Sequence, residues 1–153
     1  MIELVLVLAI LAICAMIAAP GLGGFARGRI LPNTATDLVT TARWCRVQAL
    51  SEGVTYRLNM DVDGRRWWVT KDDGSGVNFT PVVADLGKEY TLGEGLVMET
   101  TILAVNGETY ISFGPGGRTD VGTITLVVDP ARATIACDTP LGTYHIVPPA
   151  GAK

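Results

Sequence analysis

The N-terminal segment constrains this chain more than any other feature. The 23 residues from Leu4 to Ala26 carry no charge and are mostly Leu, Val, Ile and Ala. As a helix that rises about 1.5 Å per residue they reach about 35 Å, which exceeds the hydrocarbon thickness of a bilayer, about 30 Å. We therefore predict a transmembrane helix and assembly anchor over residues 1–26.

A cleavable secretory signal is the main alternative for this segment. Such signals begin with positive charge and end at a cleavage site of small residues. Here Glu3 stands where the positive charge is expected, and Pro20 follows the best small-residue pair, Ala18 and Ala19. Proline after the site disfavours cleavage, so a retained anchor is the better interpretation.

Glu3 is the only charged residue before Arg27. A carboxylate inside a membrane helix costs on the order of 3 kcal/mol, which makes such a residue a candidate for function. The alternative is an ordinary charge at the membrane edge. Residue type and position alone leave both interpretations open.

The rest of the chain is close to electrical neutrality. A length of 153 residues suits one anchor and one globular head. All 12 Lys and Arg residues lie at Arg27 or later, together with all of the 15 acidic residues except Glu3. Nucleic-acid binding needs a basic surface that displaces counterions from phosphates, so a nucleic-acid partner is not expected.

An amphipathic stalk helix is predicted over residues 27–53. The stretch Pro20–Pro32 is rich in glycine, so we expect a bend or a segment that melts, with the helix resuming at Asn33 or Thr34 as its cap. Apolar residues then recur at spacings of three and four, which predicts a stripe that packs on a sheet, with Trp44 packing beside it. The stripe consists of Leu31, Ala35, Leu38, Ala42, Cys45 and Ala49.

A β-rich head is predicted over residues 54–153. Asp61–Arg65 is typical of a hairpin turn, and Asp72–Gly76 forms the next turn. One helix followed by about eight antiparallel strands is an α+β arrangement in which the helix covers a sheet. The predicted strands are Val54–Met60, Arg66–Lys71, Val77–Val83, Tyr90–Leu92, Leu96–Leu103, Thr109–Phe113, Thr123–Val128, Thr134–Cys137 and Thr143–Val147.

The stretch from Met1 to Ile13 resembles the N-terminal signature of type IV pilins and pseudopilins, Phe-Thr-Leu-Ile-Glu-Leu followed by an apolar run. Pro20 falls where that family has its helix-bending proline. The resemblance implies a pilin-like fold whose partners are the membrane and other pseudopilins or pilins, bound through the N-terminal helix. It also implies that Glu3 neutralises the N-terminal amine of a neighbouring subunit during fibre assembly. Two charges that are each costly in lipid are tolerated as a pair.

The same resemblance carries expectations about processing and location. The family's prepilins have a basic leader ending in glycine, cut before a phenylalanine four residues ahead of the glutamate. Since that position precedes Met1, we expect prepilin peptidase to act on an upstream leader. We also expect a single-pass protein of the inner membrane with its C-terminal head in the periplasm or another extracytoplasmic space.

A second resemblance lies in the C-terminal third. Ile111–Arg118, Gly122–Leu126 and Leu141–Gly142 are similar to the C-terminal pattern of the H-type pseudopilin domain. This favours a minor pseudopilin of the type II secretion pseudopilus, with a minor type IV pilin that primes pilus assembly or aids DNA uptake as the alternative. Some such pilins capture DNA through late arginines, and Leu141–His145 contains none. An unrelated single-pass protein with a ligand-binding β domain is the third possibility.

Catalysis and cofactor binding are not indicated. His145 is the only histidine and fits a structural role in a strand, and no nucleophile motif such as GxSxG is present. Gly114–Arg118 is similar to an anion-binding loop but lacks the lysine and the following helix of a phosphate site. We therefore predict a protein that is not an enzyme and holds no cofactor.

Metal binding is not expected either. Asp61 with Asp63, and Asp72 with Asp73, fit turn chemistry better than a calcium loop, which needs more oxygen ligands. The sequence has no CxxC motif and no Cys/His cluster of the kind that binds zinc.

The three cysteines have different settings. Cys14 lies in the apolar segment, Cys45 on the stalk helix and Cys137 in a late strand. Cys45 and Cys137 form a disulfide only if they meet in space, and two separate buried thiols is the simpler interpretation. The sequence leaves both open.

Overall fold

A computed structural model describes the backbone of residues 2–148 and the side chains of residues 3–13 and 29–148. Over residues 2–148, one long helix, α1 (Ile2–Glu52), precedes nine strands, which confirms the predicted α+β class of a helix and an antiparallel β head. Every predicted strand is present, several of them shorter than expected. The strands are β1 (Tyr56–Asp61), β2 (Arg66–Asp72), β3 (Phe79–Pro81), β4 (Tyr90–Thr91), β5 (Val97–Thr100), β6 (Thr109–Phe113), β7 (Gly122–Val128), β8 (Ala131–Cys137) and β9 (His145–Val147).

The strands divide into two antiparallel sheets. The five-stranded sheet has the order β3-β2-β1-β6, with β4 also paired to β2, and the four-stranded sheet has the order β5-β7-β8-β9. Leu58 of β1 lies between Val69 and Ile111 on its two neighbours, and Ile124 pairs with Ile135 in the other sheet. These apolar rows point to the interior, because alternate residues of a strand face opposite sides.

The second half of α1 packs on both sheets. It contacts β1 and β6 of the five-stranded sheet and β7, β8 and β9 of the four-stranded sheet. All six residues of the predicted stripe are buried, with exposed fractions from 0% to 8%. Burying a leucine-sized side chain contributes about 1.5–3 kcal/mol, so this stripe is the main attachment of the helix to the head. Trp44 packs as predicted, edge-on against Tyr56 with ring centroids 5.9 Å apart.

The predicted interruption of the helix before Asn33 is wrong. α1 is continuous from Ile2 to Glu52, so Asn33 and Thr34 do not begin a new helix. Leu31 and Ala35 are buried on either side of Pro32, and this packing outweighs the poor local helix propensity. The bend expected at Pro20 lies outside the residues whose side chains are described.

Gly53 ends α1. Its φ of 70° is a conformation that glycine adopts at little cost, and its N–H donates to the carbonyl oxygen of Ala49 at 3.1 Å. One residue earlier, Glu52 accepts a hydrogen bond from Lys71 of β2 at 2.7 Å, which lowers the pKa of Glu52. The helix end is thereby fixed to the first hairpin.

Cys45 and Cys137 are separate free thiols, both buried. Cys45 belongs to the stripe on α1, and its burial raises the pKa of the thiol to about 12. Cys137 ends β8 and donates from its sulfur to the carbonyl oxygen of Thr139 at 3.2 Å. Cys14 lies outside the residues whose side chains are described.

Replacing Leu38 with alanine is predicted to lower the free energy of unfolding by about 2–5 kcal/mol, because the side chain is 1% exposed and its removal leaves a cavity. The matched control is Leu50→Ala on the same helix, where the side chain is 52% exposed and the expected loss is below about 1 kcal/mol. Denaturant unfolding of the full-length protein in detergent micelles measures both. Equal losses would contradict the assigned orientation of α1.

The thiols give a chemical test of the same packing. Because burial raises the Cys45 pKa to about 12, its reactive thiolate is scarce at neutral pH, and iodoacetamide is expected to leave Cys45 unlabelled in the folded protein. After denaturation without reductant, peptide mapping is expected to show both Cys45 and Cys137 alkylated. A peptide crosslinked through Cys45 and Cys137 would show instead that they form a disulfide.

Candidate assembly surface

The first turns of α1 present an apolar surface on every side. Their large side chains are all between 52% and 66% exposed. A helix that is apolar all round belongs in lipid or among other helices, because so much apolar surface is unfavourable in water. The residues are Leu4, Val5, Leu6, Val7, Leu8, Ile10, Leu11 and Ile13.

Glu3 lies at the end of this surface, exposed in the first turn of α1. Carboxylates near a helix N-terminus interact favourably with the helix dipole and with backbone N–H groups that lack helical partners. An ionised carboxylate accepts hydrogen bonds and pairs with cations, which is the chemistry required for binding an amine. Its pairing with a neighbouring subunit remains a prediction.

Within the described part of the chain, no helix combines the length and hydropathy of a membrane span. The span predicted from Leu4 to Ala26 overlaps residues 14–28, whose side chains are not described.

Arg46 fixes α1 to the C-terminal part of the head. Its guanidinium donates to the carbonyl oxygen of Leu141 at 2.8 Å and to that of Gly142. These carbonyls lie 95 and 96 residues further along the chain, so the contact joins distant segments. Sequence analysis missed Arg46, because it lies outside the apolar stripe and carbonyl partners leave no signal in a sequence.

The Gly114–Arg118 loop lies against the same part of α1. Gly114 donates to the carbonyl oxygen of Arg118 at 2.8 Å, and Gly117 donates to that of Gly114 at 2.9 Å. Gly117 has a φ of 76°, and a side chain there would lie 3.4 Å from Leu50 and 3.7 Å from the Arg46 guanidinium. The loop is a tight connection packed on the helix.

The turn that carries Leu141 and Gly142 is braced from two sides. Gly142 donates to the carbonyl oxygen of Thr139 at 2.8 Å, and Thr119 donates to that of Pro140 at 2.8 Å. An added Cβ at Gly142 would lie 2.9 Å from the Thr139 hydroxyl oxygen, so only glycine fits without displacing its neighbours. Two parts of the second sequence resemblance, the Gly114–Arg118 loop and Leu141–Gly142, therefore meet at Arg46.

The aspartates considered as metal ligands serve turns. Asp61 accepts hydrogen bonds from the Gly64 N–H at 2.7 Å and from Arg66 at 3.1 Å, and these contacts hold the pKa of its carboxyl below the ordinary range. Asp72 accepts from the N–H of Gly76 at 2.9 Å. Among the residues with described side chains, no three His, Cys, Asp or Glu groups are close enough together to hold a metal ion.

His145 and the late basic residues are dispersed over the head. His145 is half-buried in β9, with Nδ1 3.3 Å from the Thr143 carbonyl oxygen and Nε2 4.0 Å from the Asp138 carboxylate. Arg132 lies 4.0 Å from Glu99 on the four-stranded sheet, whereas Arg118 is exposed in the loop after β6. The structure does not bring these residues to Glu3.

Residues 34–139, from the stripe of α1 to the turn beneath Arg46, match the family model described as type II transport protein GspH. The chain belongs to the GspH family. No curated protein matches the sequence at a significant level.

Solved structures share the GspH-family fold at low sequence identity. Two structures of the minor pseudopilin EpsH from the type II secretion system of Vibrio cholerae are similar, with 15% and 14% identity and TM-scores of 0.66 and 0.67. The alignments cover 78% and 82% of this chain and 97% and 98% of theirs. The type IV minor pilin FimU of Pseudomonas aeruginosa is also similar, at 13% identity and a TM-score of 0.59, over 81% of this chain and 92% of its own.

Replacing Arg46 with alanine is predicted to loosen the turn beneath it, because two charge-assisted hydrogen bonds to carbonyl oxygens are lost, each worth about 1–3 kcal/mol. Hydrogen exchange of the Gly142 and Thr119 amides is expected to accelerate. Arg43→Ala, at an exposed site on the same helix, is the matched control and is expected to leave both amides protected. Equal acceleration in the two variants would show that Arg46 does not hold the turn.

Proposed function

We propose that this chain is a minor pseudopilin, a structural subunit of the type II secretion pseudopilus. The match of residues 34–139 to the GspH family carries the proposal, and the exposed apolar surface that ends at Glu3 supports it. A subunit of a helical fibre needs a face that packs on its neighbours and a head that folds separately from that face. The exposed apolar surface from Leu4 to Ile13 and the separately packed head fit these two needs.

We assign three segments of the chain to three roles. Residues 1–26 form the membrane anchor, residues 27–53 the stalk, and residues 54–153 the head. The protein crosses the inner membrane once, with its head in the periplasm, after prepilin peptidase has removed an upstream leader. On assembly, the apolar side chains from Leu4 to Ile13 exchange lipid for the helices of neighbouring subunits.

Glu3 sets the position of each subunit along the fibre. A carboxylate and an N-terminal amine are each costly in lipid, and pairing them between subunits removes both costs at one position along the fibre. Partners are other pseudopilins, bound through the helix. Assembly of subunits through their helices requires neither catalysis nor a cofactor.

A minor type IV pilin that primes a pilus or aids DNA uptake is the second candidate. The similarity to FimU favours it, but with a lower TM-score than the similarity to EpsH. Some such pilins capture DNA through arginines near the chain end, and the corresponding stretch here, Leu141–His145, contains none.

Replacing Glu3 with glutamine is predicted to abolish crosslinks between this chain and other pseudopilins in cells, because the neutral amide cannot compensate the neighbouring amine. The head is expected to stay folded, since Glu3 lies at the far end of α1 from the stripe. Crosslinking of the full-length protein, with the mature N-terminus confirmed by mass spectrometry, measures the effect.

Asp37→Asn is the matched control, since it removes an exposed carboxylate from the stalk part of the same helix. Crosslinks are expected to persist in this variant. If Glu3→Gln crosslinks as well as the wild type, the proposed role of Glu3 is wrong, and a plain membrane-tethered domain becomes the better account.

A further inference from the structure

The outer face of the five-stranded sheet, opposite α1, carries large aromatic and arginine side chains. Tyr56, Leu58 and Met60 of β1 point into the core, so the residues between them, and their partners on β2 and β6, point outward. Aromatic and arginine residues are enriched in the centres of protein interfaces. The outer-face patch consists of Arg57, Trp68, Phe79 and Tyr110.

Arg57 is the centre of the outer-face patch. Its guanidinium carbon lies 3.5 Å from the ring centroid of Phe79 and 4.3 Å from that of Tyr110. The rings contact the flat faces of the guanidinium, whereas its five N–H donors lie in the plane of the group and form no hydrogen bond with the rings. Its Nε is buried and has no hydrogen-bond partner among the described residues, a state that folded proteins rarely leave uncompensated.

A partner can reach the four Nη–H donors of Arg57, because only Nε is fully buried. Over residues 3–13 and 29–148, the guanidinium forms neither an ion pair nor a hydrogen bond. Beneath it, the buried amide of Asn59 donates to the hydroxyl of Thr70 at 3.0 Å, so these polar groups already pair with each other. By contrast, Arg66 on the same face is paired with Asp61 at 3.1 Å and with Glu89 at 3.3 Å.

The stacked geometry also prepares Arg57 for binding. Long arginine side chains lose rotamer freedom when they bind, and two flanking rings have already restricted this one. A fixed guanidinium matches a carboxylate, which accepts two parallel hydrogen bonds from it. The half-buried rings of Phe79, Tyr110 and Trp68 offer apolar contact that a free inorganic anion does not use.

We propose that the outer-face patch docks an acidic segment of a partner protein, and that the Arg57 guanidinium, stacked on the rings of Phe79 and Tyr110, donates to an Asp or Glu carboxylate of that segment. This surface lies on the head and is separate from the helix-mediated assembly described above. The head therefore has a second means of binding a partner, which combines a hydrogen-bonded ion pair with contacts to aromatic rings.

The test uses the full-length protein in detergent micelles with ¹⁵N-labelled arginine, and follows the Nε–Hε resonance of Arg57 by NMR. The probes are a peptide of alternating glutamate and leucine, the same peptide with glutamine in place of glutamate, and inorganic phosphate. The acidic peptide is expected to shift the Arg57 resonance, and to bind at least about tenfold more tightly than the glutamine peptide.

Two variants control for charge and fold. Arg57→Lys keeps the charge but loses the planar fork, and is expected to weaken binding of the acidic peptide about tenfold. Arg66→Gln removes one charge from the same face and is expected to change affinity by less than about threefold, because surface charge effects are small.

Equal affinity for the acidic and glutamine peptides would overturn the proposal without relying on any variant. A phosphate-induced shift at least as strong as that of the acidic peptide would overturn it too, since it would indicate a free-anion site. Loss of binding in Arg66→Gln equal to that in Arg57→Lys would reduce the effect to general charge attraction and likewise contradict the proposal.

Discussion

The structure depends on the burial of one apolar stripe of α1 against two sheets. Three of its six residues are alanines, which allow the helix backbone to approach the strands closely, and Leu38 and Cys45 fill the space between them. Because α1 contacts strands of both sheets, the same packing joins the sheets to each other. The contact between Arg46 and the carbonyls of Leu141 and Gly142 then closes the head over the end of the helix.

This arrangement gives one continuous helix two different surroundings. From Leu31 onward its stripe is buried in the head, whereas residues 3–13 expose apolar side chains on every side. Under the proposed function, packing of the apolar end on neighbouring subunits also orients the head, because the helix is continuous between the two regions. The outer-face patch lies on the side of the five-stranded sheet opposite α1, which is where we propose that an acidic partner docks.

Much of this could be predicted from the sequence, because it is encoded in local periodicity. The spacing of apolar residues by three and four predicted all six buried stripe residues. Short strand-like segments between turn residues predicted β6 with its observed bounds. The failures are contacts set by tertiary structure. Continuity through Pro32 depends on the burial of Leu31 and Ala35. The partners of Arg46 and the stacking of Arg57 depend on strand register and on loops far away in the chain.

Secretion itself tests the proposed role most directly. The measurement is quantitative mass spectrometry of culture supernatant and periplasm from a strain that lacks this chain, compared with the same strain complemented by the full-length protein. In the strain that lacks this chain, type II substrates are predicted to be depleted from the supernatant and to accumulate in the periplasm. Complementation is predicted to restore their secretion, and surface pili are predicted to be the same in both strains. Normal secretion together with loss of surface pili would contradict the pseudopilin role and identify a minor pilin instead.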